Sequence, residues 1–217
     1  MYLSNRDIRW AIKQNLLIVN PPPDETMQGY DETSIDLNLD DTDKGARVWD
    51  VEAYMIDHQS SVEQPELRLG TFNYKRFAGK YLKHVPQQAD CGGALVFARN
   101  KEVVVKPGGF VLWSTREEVG TPVTNPQYIC FVDAKSTRAR TGVVVHMTAP
   151  TIHAGWSGNI TLEIANFGPF HLVLKPGDAI AQLTVATISS APDLELKIGE
   201  SKTARQKDPT GAPEKRT

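Results

Sequence analysis

Hydrophobic and polar residues alternate along most of the second half of the chain, which predicts short β-strands. In GNITLEIAN, residues 158–166, the side chains of Ile160, Leu162 and Ile164 would face one side of a strand and Glu163 the other. Similar runs, bounded by glycine, proline or asparagine, are EVVV, FVLWST, YICFVDAKS, GVVVHMTA and FHLVLKPGDAIAQLTVATI. The tripeptide Lys-Pro-Gly occurs twice, each time between two such runs. This indicates a turn that is used twice rather than a repeat protein.

The first half of the chain is less regular. Ser4 and Asp7 resemble a capping box, and the apolar residues that follow at helical spacing predict a short helix over about residues 5–14. TSIDLNLD, residues 33–40, alternates like a strand, whereas residues 41–98 have weak periodicity and predict short strands with long loops. Many short strands with few helices predict an all-β (mainly β) fold, a barrel or jelly roll with a short N-terminal helix.

The length of 217 residues predicts a single β domain, here residues 1–199, with residues 41–98 as an elaboration of it. The remaining residues, 200–217, carry no large apolar side chain. They form either a disordered terminus or a flexible lid whose cations close over a polyanion.

Charge and composition narrow the classes of function. The net charge is −2, from 24 basic and 26 acidic residues, which argues against binding of a nucleic-acid polymer but not of a single nucleotide. Cys91 and Cys130 form no CxxC motif, so free thiols in a reducing compartment are expected. The start MYLSNRDIRW does not resemble a signal peptide, and no apolar run approaches the roughly 18 residues of a membrane helix. We therefore expect a cytoplasmic protein without a membrane partner.

Two stretches are candidates for chemistry. Glu163 interrupts an apolar strand and lies either on a solvated face or on a face whose small neighbours leave room for a ligand. KSTRAR, residues 135–140, offers hydroxyl and guanidinium groups that suit phosphate oxygens, although surface turns of this composition are common. The 5 histidines are dispersed, and the sequence lacks the H-x-E and P-C-x-x-C motifs of zinc deaminases, so no protein-bound zinc is expected.

Several motifs together resemble the dCTP deaminase family, which shares a superfamily with trimeric dUTPases. The central motifs are KSTRARTG, VHMTA, TIHAGW and TLEIANFGP, and the resemblance extends to YLSNRDIRWAI, SIDLNL, LKPGDAIAQL and SKTARQKDPTGA. It covers both ends of the chain and all of residues 99–212, and it is poorest across residues 41–98. It implies a dUTPase-like, distorted β-barrel fold and a homotrimer with sites between subunits.

The resemblance also implies a reaction, the hydrolytic deamination of dCTP to dUTP and ammonia without a protein-bound metal. Mg²⁺ would arrive on the nucleotide triphosphate, and dTTP is a candidate inhibitor. Glu163 matches the catalytic base of the family, Arg140 the arginine beside it, and Ser136 the serine that holds the attacking water. The positions that match nucleotide contacts are Lys135, Thr137, Arg138, Thr148, Ala149, His153, Trp156, Thr161, Leu162, Lys202 and Gln206.

The sequence departs from the family pattern at positions that bear on the reaction. His153 stands where the family has an aspartate, which helps to fix deoxyribose in deaminases and activates water in dUTPases. Thr151 stands where some members have arginine, and Lys135 and Thr137 replace an arginine and a serine. Three functions stay open: a dCTP deaminase, which Glu163 favours, a dUTP diphosphatase alone or combined with deamination, and a nucleotide-binding regulator without turnover.

Overall fold

The computed structural model describes residues 1–24, 29–59, 65–192 and 208–210. The helices are α1 (Asn5–Lys13), α2 (Thr42–Gly45), α3 (Val51–Asp57), α4 (Tyr74–Tyr81) and α5 (Ser136–Ala139). The strands are β1 (Ile18–Asn20), β2 (Ser34–Asn38), β3 (Ala46–Trp49), β4 (Leu82–His84), β5 (Val96–Arg99), β6 (Glu102–Val105), β7 (Phe110–Gly120), β8 (Tyr128–Ala134), β9 (Val143–Val144), β10 (Thr151–Ile152), β11 (Ser157–Asn166), β12 (Leu172–Leu174) and β13 (Ala179–Thr187). No helix within these described ranges is long and apolar enough to span a membrane.

The strands form three antiparallel sheets that stay open in the described part of the chain. The largest has the order β4-β3-β7-β11-β9, with β1 also paired to β7, and the second has the order β10-β8-β13-β2. The third sheet has the order β12-β6-β5, and the chain leaves it twice, each time through a Lys-Pro-Gly turn, once from β6 to β7 and once from β12 to β13. The predicted mainly-β fold is confirmed, and so is the short N-terminal helix, which the Ser4 side chain caps at the backbone N–H of Asp7.

The pairing of β7 with β11 sets the position of the candidate carboxylate. Glu163 lies opposite Leu112, and the fully buried Leu162 and Ile164 lie on the other face of β11, as the alternation predicted. The register shifts between Asn159 and Thr161, so the regular pairing of β11 with β7 is interrupted at Ile160. Ile160 is half-buried and packs against the core, and it also lines a cavity together with Glu163.

Residues 41–98 contain more helix than the sequence predicted. Here α3 and α4 replace the expected long loops, while β3 and β4 extend the largest sheet. The side chain of Asp50 caps α3 at the N–H of Ala53, and Asn73 caps α4 at the N–H of Arg76. Contacts between aromatic rings then join the two helices to each other and to β3; the rings are those of Trp49, Tyr54, Tyr74, Phe77 and Tyr81.

The turn at Gly142 and the turn at Gly168 pack so closely against each other that a side chain would not fit between them. Gly142 has a φ of +89°, and a Cβ atom there would lie 2.3 Å from the backbone nitrogen of Gly168. The buried side chain of Asn166 fixes the same region, because it donates to the carbonyls of Val105 and Phe170 and accepts from the N–H of Gly168. This contact holds the turn after α5 against the end of β11.

Gly142→Ala should lower the free energy of unfolding by at least about 2 kcal/mol, because it adds both a backbone clash and a positive-φ penalty. Gly79→Ala is a matched control, since Gly79 lies within α4 and a Cβ atom there would meet nothing within 4 Å. The control should be neutral or stabilise the protein by up to about 1 kcal/mol. Urea denaturation of both variants measures the difference, and equal stabilities would contradict the close approach.

Candidate active site

A cavity of about 480 Å³ opens beside the middle of β11. This volume suits a small organic ligand, for which sites of about 300–1,000 Å³ are usual. The lining residues come from β3, α4, β7, β8, β10, β11 and the loops around β10: Trp49, Tyr74, Phe110, Leu112, Val132, His146, Ala149, Thr151, Ile152, His153, Trp156, Asn159, Ile160, Thr161 and Glu163.

Glu163 is half-buried in this cavity and is held at one oxygen. Its Oε2 accepts a hydrogen bond of 3.0 Å from the backbone N–H of Met147, in the loop after β9. No described residue donates to Oε1, so a proton of a bound ligand or water can reach that oxygen. The carboxylate therefore has a fixed orientation and one oxygen available for chemistry.

A second carboxylate shows what a purely structural glutamate looks like in this fold. Glu117 is more deeply buried than Glu163, with a side-chain exposure of only 3%. Its oxygens accept from the backbone and the side-chain amide of Asn38, at 2.8 Å each, and from the guanidinium of Arg116. Because both oxygens are engaged, Glu117 stabilises the fold and offers nothing to a ligand.

The walls of the cavity are largely apolar and aromatic. Trp49 and Trp156 contribute two indole rings, and the side chains of Leu112, Val132 and Ile152 complete much of the surface. None of the described lining residues is a lysine or an arginine. The cavity therefore suits a planar, uncharged heterocycle, whereas a polyphosphate needs cations from elsewhere.

The loop that carries His153 and Trp156 forms a tight turn at the cavity. The N–H of Trp156 donates to the carbonyl of His153 at 3.2 Å, and the N–H of Gly155 donates to the hydroxyl of Thr121 at 2.7 Å. His153 is exposed and Trp156 half-buried, and both line the cavity. The hypothesis that His153 lies near a ligand is thus compatible with its position.

The predicted phosphate-binding turn lies outside the cavity. Ser136, Thr137, Arg138 and Arg140 are all exposed, and none of them lines the wall around Glu163. Lys135 instead forms an ion pair with Asp36 of β2. A single chain therefore does not bring Ser136 and Arg140 together with Glu163.

Only some of the remaining residues that were predicted to contact a nucleotide line the cavity. Thr161 and Ala149 line the cavity, and Thr148 is exposed in the same loop as Ala149. The side chain of Leu162 is fully buried in the core, so only its backbone is available to a ligand. Lys202 and Gln206 lie outside the described residues.

Sequence reasoning missed the contribution of residues 41–98 to this cavity. Trp49 ends β3 and Tyr74 begins α4, and their rings meet edge to face with centroids 6.2 Å apart. Partial burial, followed by the nearby carboxylates of Glu163 and Asp208, raises the pKa of Tyr74 to about 12. Tyr74 therefore stays a neutral hydroxyl donor at any physiological pH.

Comparison with known proteins assigns the chain to a protein family. The profile of the dCTP deaminase-like family matches residues 2–188. The chain belongs to the dCTP deaminase-like family. The dCTP deaminase, dUMP-forming, of Corynebacterium jeikeium is 32% identical over 213 residues, which are 97% of this chain and 95% of that relative. The dCTP deaminase of Thermomicrobium roseum is 29% identical over 211 residues, or 96% of this chain and 91% of the relative.

The fold has a counterpart among solved structures. The 2′-deoxycytidine 5′-triphosphate deaminase of Agrobacterium tumefaciens superposes with a TM-score of 0.53 at 17% identity, over 85% of this chain. The matched part is 47% of the Agrobacterium chain, so this chain spans about half of its length. The resemblance drawn from KSTRARTG and TLEIANFGP is confirmed, and so is the fold class that it implied.

The described residues also bear on metal binding. Within the parts of the chain that the structure describes, no three His, Cys, Asp or Glu side chains are grouped so that they could hold a metal ion. Both cysteines are free, and burial raises the pKa of Cys130 to about 12, which makes its thiol unreactive. Catalysis without a protein-bound metal stays a prediction.

Proposed function

We propose that the cavity around Glu163 catalyses the hydrolytic deamination of dCTP to dUTP and ammonia. The observation that carries this proposal is the state of the Glu163 carboxylate, which is oriented by the Met147 N–H and presents its other oxygen to an apolar, aromatic cavity. Relatives at 29% and 32% identity that are named dCTP deaminases support the choice of dCTP over other cytosine nucleotides.

The proposed chemistry needs one proton acceptor that later becomes a donor. Glu163 takes a proton from water as the water oxygen bonds to C4 of cytosine, and it gives that proton to N3 as the electron pair of the C4–N3 double bond moves to N3. In the collapse of the tetrahedral intermediate, the C4 hydroxyl gives its proton to Glu163 and becomes the C4 carbonyl. Glu163 passes this proton to the exocyclic amine as the C4–N4 bond breaks, and ammonia leaves. Proton transfer of this kind contributes about 10²–10⁴-fold to the rate. The orientation of the cytosine ring against the Glu163 carboxylate increases the rate further.

The triphosphate requires cationic groups that the cavity wall does not contain. The exposed turn with Arg138 and Arg140 is the best candidate for them, since neither guanidinium forms an ion pair with a described residue. We therefore infer a homotrimer in which Ser136 and Arg140 of one subunit complete the Glu163 cavity of the next. Mg²⁺ would arrive with the nucleotide and neutralise part of its charge.

Glu163→Gln should reduce ammonia release by about 10²–10⁴-fold while nucleotide affinity changes little, because the amide keeps the shape of the side chain and loses the proton acceptor. Calorimetry with dCTP and a coupled ammonia assay measure the two quantities. Glu52→Gln, on an exposed face of α3, is the control and should keep full activity. Turnover near the parent level in Glu163→Gln protein would remove this residue from the reaction.

Coexpression of Glu163→Gln and Arg140→Ala chains tests the shared site. Each variant alone should be inactive, but random mixing in a trimer places both intact residues at about a quarter of the interfaces and should restore activity in that proportion. If both groups act within one subunit, mixed trimers will be as inactive as the separate variants. Light scattering on the same samples reports whether the trimer is present.

A second candidate function is combined deamination and pyrophosphate release, which the name of the Corynebacterium relative, dCTP deaminase, dUMP-forming, brings into consideration. His153 argues against this second function, because the residue at the cavity is an imidazole rather than the aspartate that activates water in dUTPases. We expect dUTP and ammonia from the parent enzyme, with little dUMP. Product analysis by ion-exchange chromatography decides this, with His153→Asp as the comparison. Abundant dUMP and pyrophosphate from the parent protein would establish the second function.

A further inference from the structure

A second cavity lies between α3 and α4, on the elaboration formed by residues 41–98. Its volume is about 1000 Å³, at the upper end of the usual range for small-molecule sites. The described wall is built from the second half of α3 with its C-cap, residues 65–68 and one face of α4. It shares no described lining residue with the Glu163 cavity, so this cavity, here called the helix groove, is a separate space.

Aromatic rings form the floor of the helix groove. The rings of Tyr54, Phe77 and Tyr81 contact one another, with centroids 4.9 to 5.7 Å apart. The ring of His58 lies against that of Tyr54, with centroids 4.1 Å apart and an angle of 26° between the planes. Because His58 itself is exposed, a planar ligand ring can stack on its other face.

A hydrogen bond fixes the orientation of the His58 ring. Its Nδ1 lies 2.9 Å from the carbonyl oxygen of Tyr54, and since a carbonyl only accepts, we assign the proton to Nδ1. The other nitrogen, Nε2, is then an acceptor in the neutral ring and a donor in the protonated ring. The bond and the stack on Tyr54 together hold the ring in place, which lowers the entropy cost of stacking a ligand on it.

The segment that contains α4 concentrates positive charge. Residues 67–84 hold five of the 24 lysine and arginine residues and none of the 26 acidic residues of a chain whose net charge is −2. Three of these cations, Arg68, Arg76 and Lys80, line the helix groove. Arg76 and Lys80 are four residues apart and therefore lie on the same face of α4.

Two of the three cations are available to a ligand. Lys80 pairs with Asp57 at 2.7 Å, and the hydroxyl of Tyr81 donates to the same carboxylate at 2.8 Å. The hydrogen bonds from Lys80 and Tyr81 hold the pKa of Asp57 below its usual range, so this carboxylate stays charged and neutralises Lys80. Arg68 and Arg76 are exposed, and neither forms an ion pair with a described residue.

A nucleotide matches this combination of rings and charges. Its base offers a planar ring to His58, and its phosphate oxygens suit the forked donors of Arg68 and Arg76. The described wall has one further carboxylate, that of Glu66, so three cations face two carboxylates and one positive charge is in excess. A free nucleotide fits better than a nucleic-acid polymer, because the chain as a whole has a net negative charge.

We propose that the helix groove is a second nucleotide-binding site, in which the base stacks on His58 while Arg68 and Arg76 bind the phosphates. The ligand is a free nucleoside triphosphate, and the Glu163 cavity takes no part in its binding. Since every base has a flat face, stacking tolerates different bases, and the groove selects for phosphates rather than for one base. The site does not depend on the deamination proposed above.

Calorimetry with ATP and the full chain tests the site through two neighbouring residues of α4. Arg76→Ala should weaken ATP binding by about ten-fold, because the phosphates lose a charged donor. Lys75→Ala is the matched control, since it removes the same charge from an exposed position that does not line the groove. It should change the affinity by less than about two-fold, as expected for a screened surface charge.

The ring contact is tested separately with His58→Ala. This variant should weaken the binding of ATP but not that of inorganic triphosphate, which has no ring to stack. Arg76→Ala, by contrast, should weaken the binding of both ligands. An equal loss of both ligands in His58→Ala would contradict the stack.

The remaining outcomes overturn the site or change its occupant. ATP binding that is too weak to measure, or equal affinities in the Arg76→Ala and Lys75→Ala proteins, would overturn it. A short single-stranded oligodeoxyadenylate that binds more tightly than ATP and depends on Arg76 would show that the groove holds a nucleic-acid strand instead. All of these readouts are equilibrium binding and need no turnover, so they decide the proposal even if the protein does not deaminate dCTP.

Discussion

The antiparallel register between β7 and β11 is the constraint on which the candidate site depends. It buries Leu162 and Ile164 on the core face and leaves Glu163 on the cavity face, opposite Leu112. A slip of one residue would exchange the faces, exposing two aliphatic side chains worth about 1.5–3 kcal/mol each and burying a carboxylate at a cost of several kcal/mol. The register is therefore strongly specified, and the position of Glu163 follows from the core rather than from the loops around the cavity.

Around this fixed carboxylate, the residues that line the cavity come from elements that are distant in sequence. The Met147 N–H orients one oxygen, the turn at His153 and Trp156 forms one edge, and Trp49 with Tyr74 forms an aromatic wall. The described lining of the cavity offers room for a nucleobase but no lysine or arginine for a triphosphate, while the exposed turn with Arg138 and Arg140 lies outside this cavity. This division is the physical reason for the proposal that the complete site lies between subunits.

The sequence predicted most of the strands because their alternation and their glycine or proline boundaries are local signals. It also predicted α1, whose cap at Ser4 is visible in the first seven residues, and the alternation placed Glu163 on the face of β11 opposite Leu162 and Ile164. The helices α3 and α4 were missed, although Asp50 and Asn73 are N-caps that could have indicated them. The role of Tyr74 could not be inferred, because its contacts with the cavity and with Pro209 join segments 135 residues apart.

The central claim is that water attacks C4 of a cytosine nucleotide in the cavity around Glu163. Turnover of dCTP in water enriched with ¹⁸O, followed by mass spectrometry of the products, tests this claim most directly. The account predicts that one ¹⁸O atom enters the base of the dUTP product for each ammonia released, with none in the phosphates. Label found only in a phosphate product, with the amino group retained on the base, would contradict it.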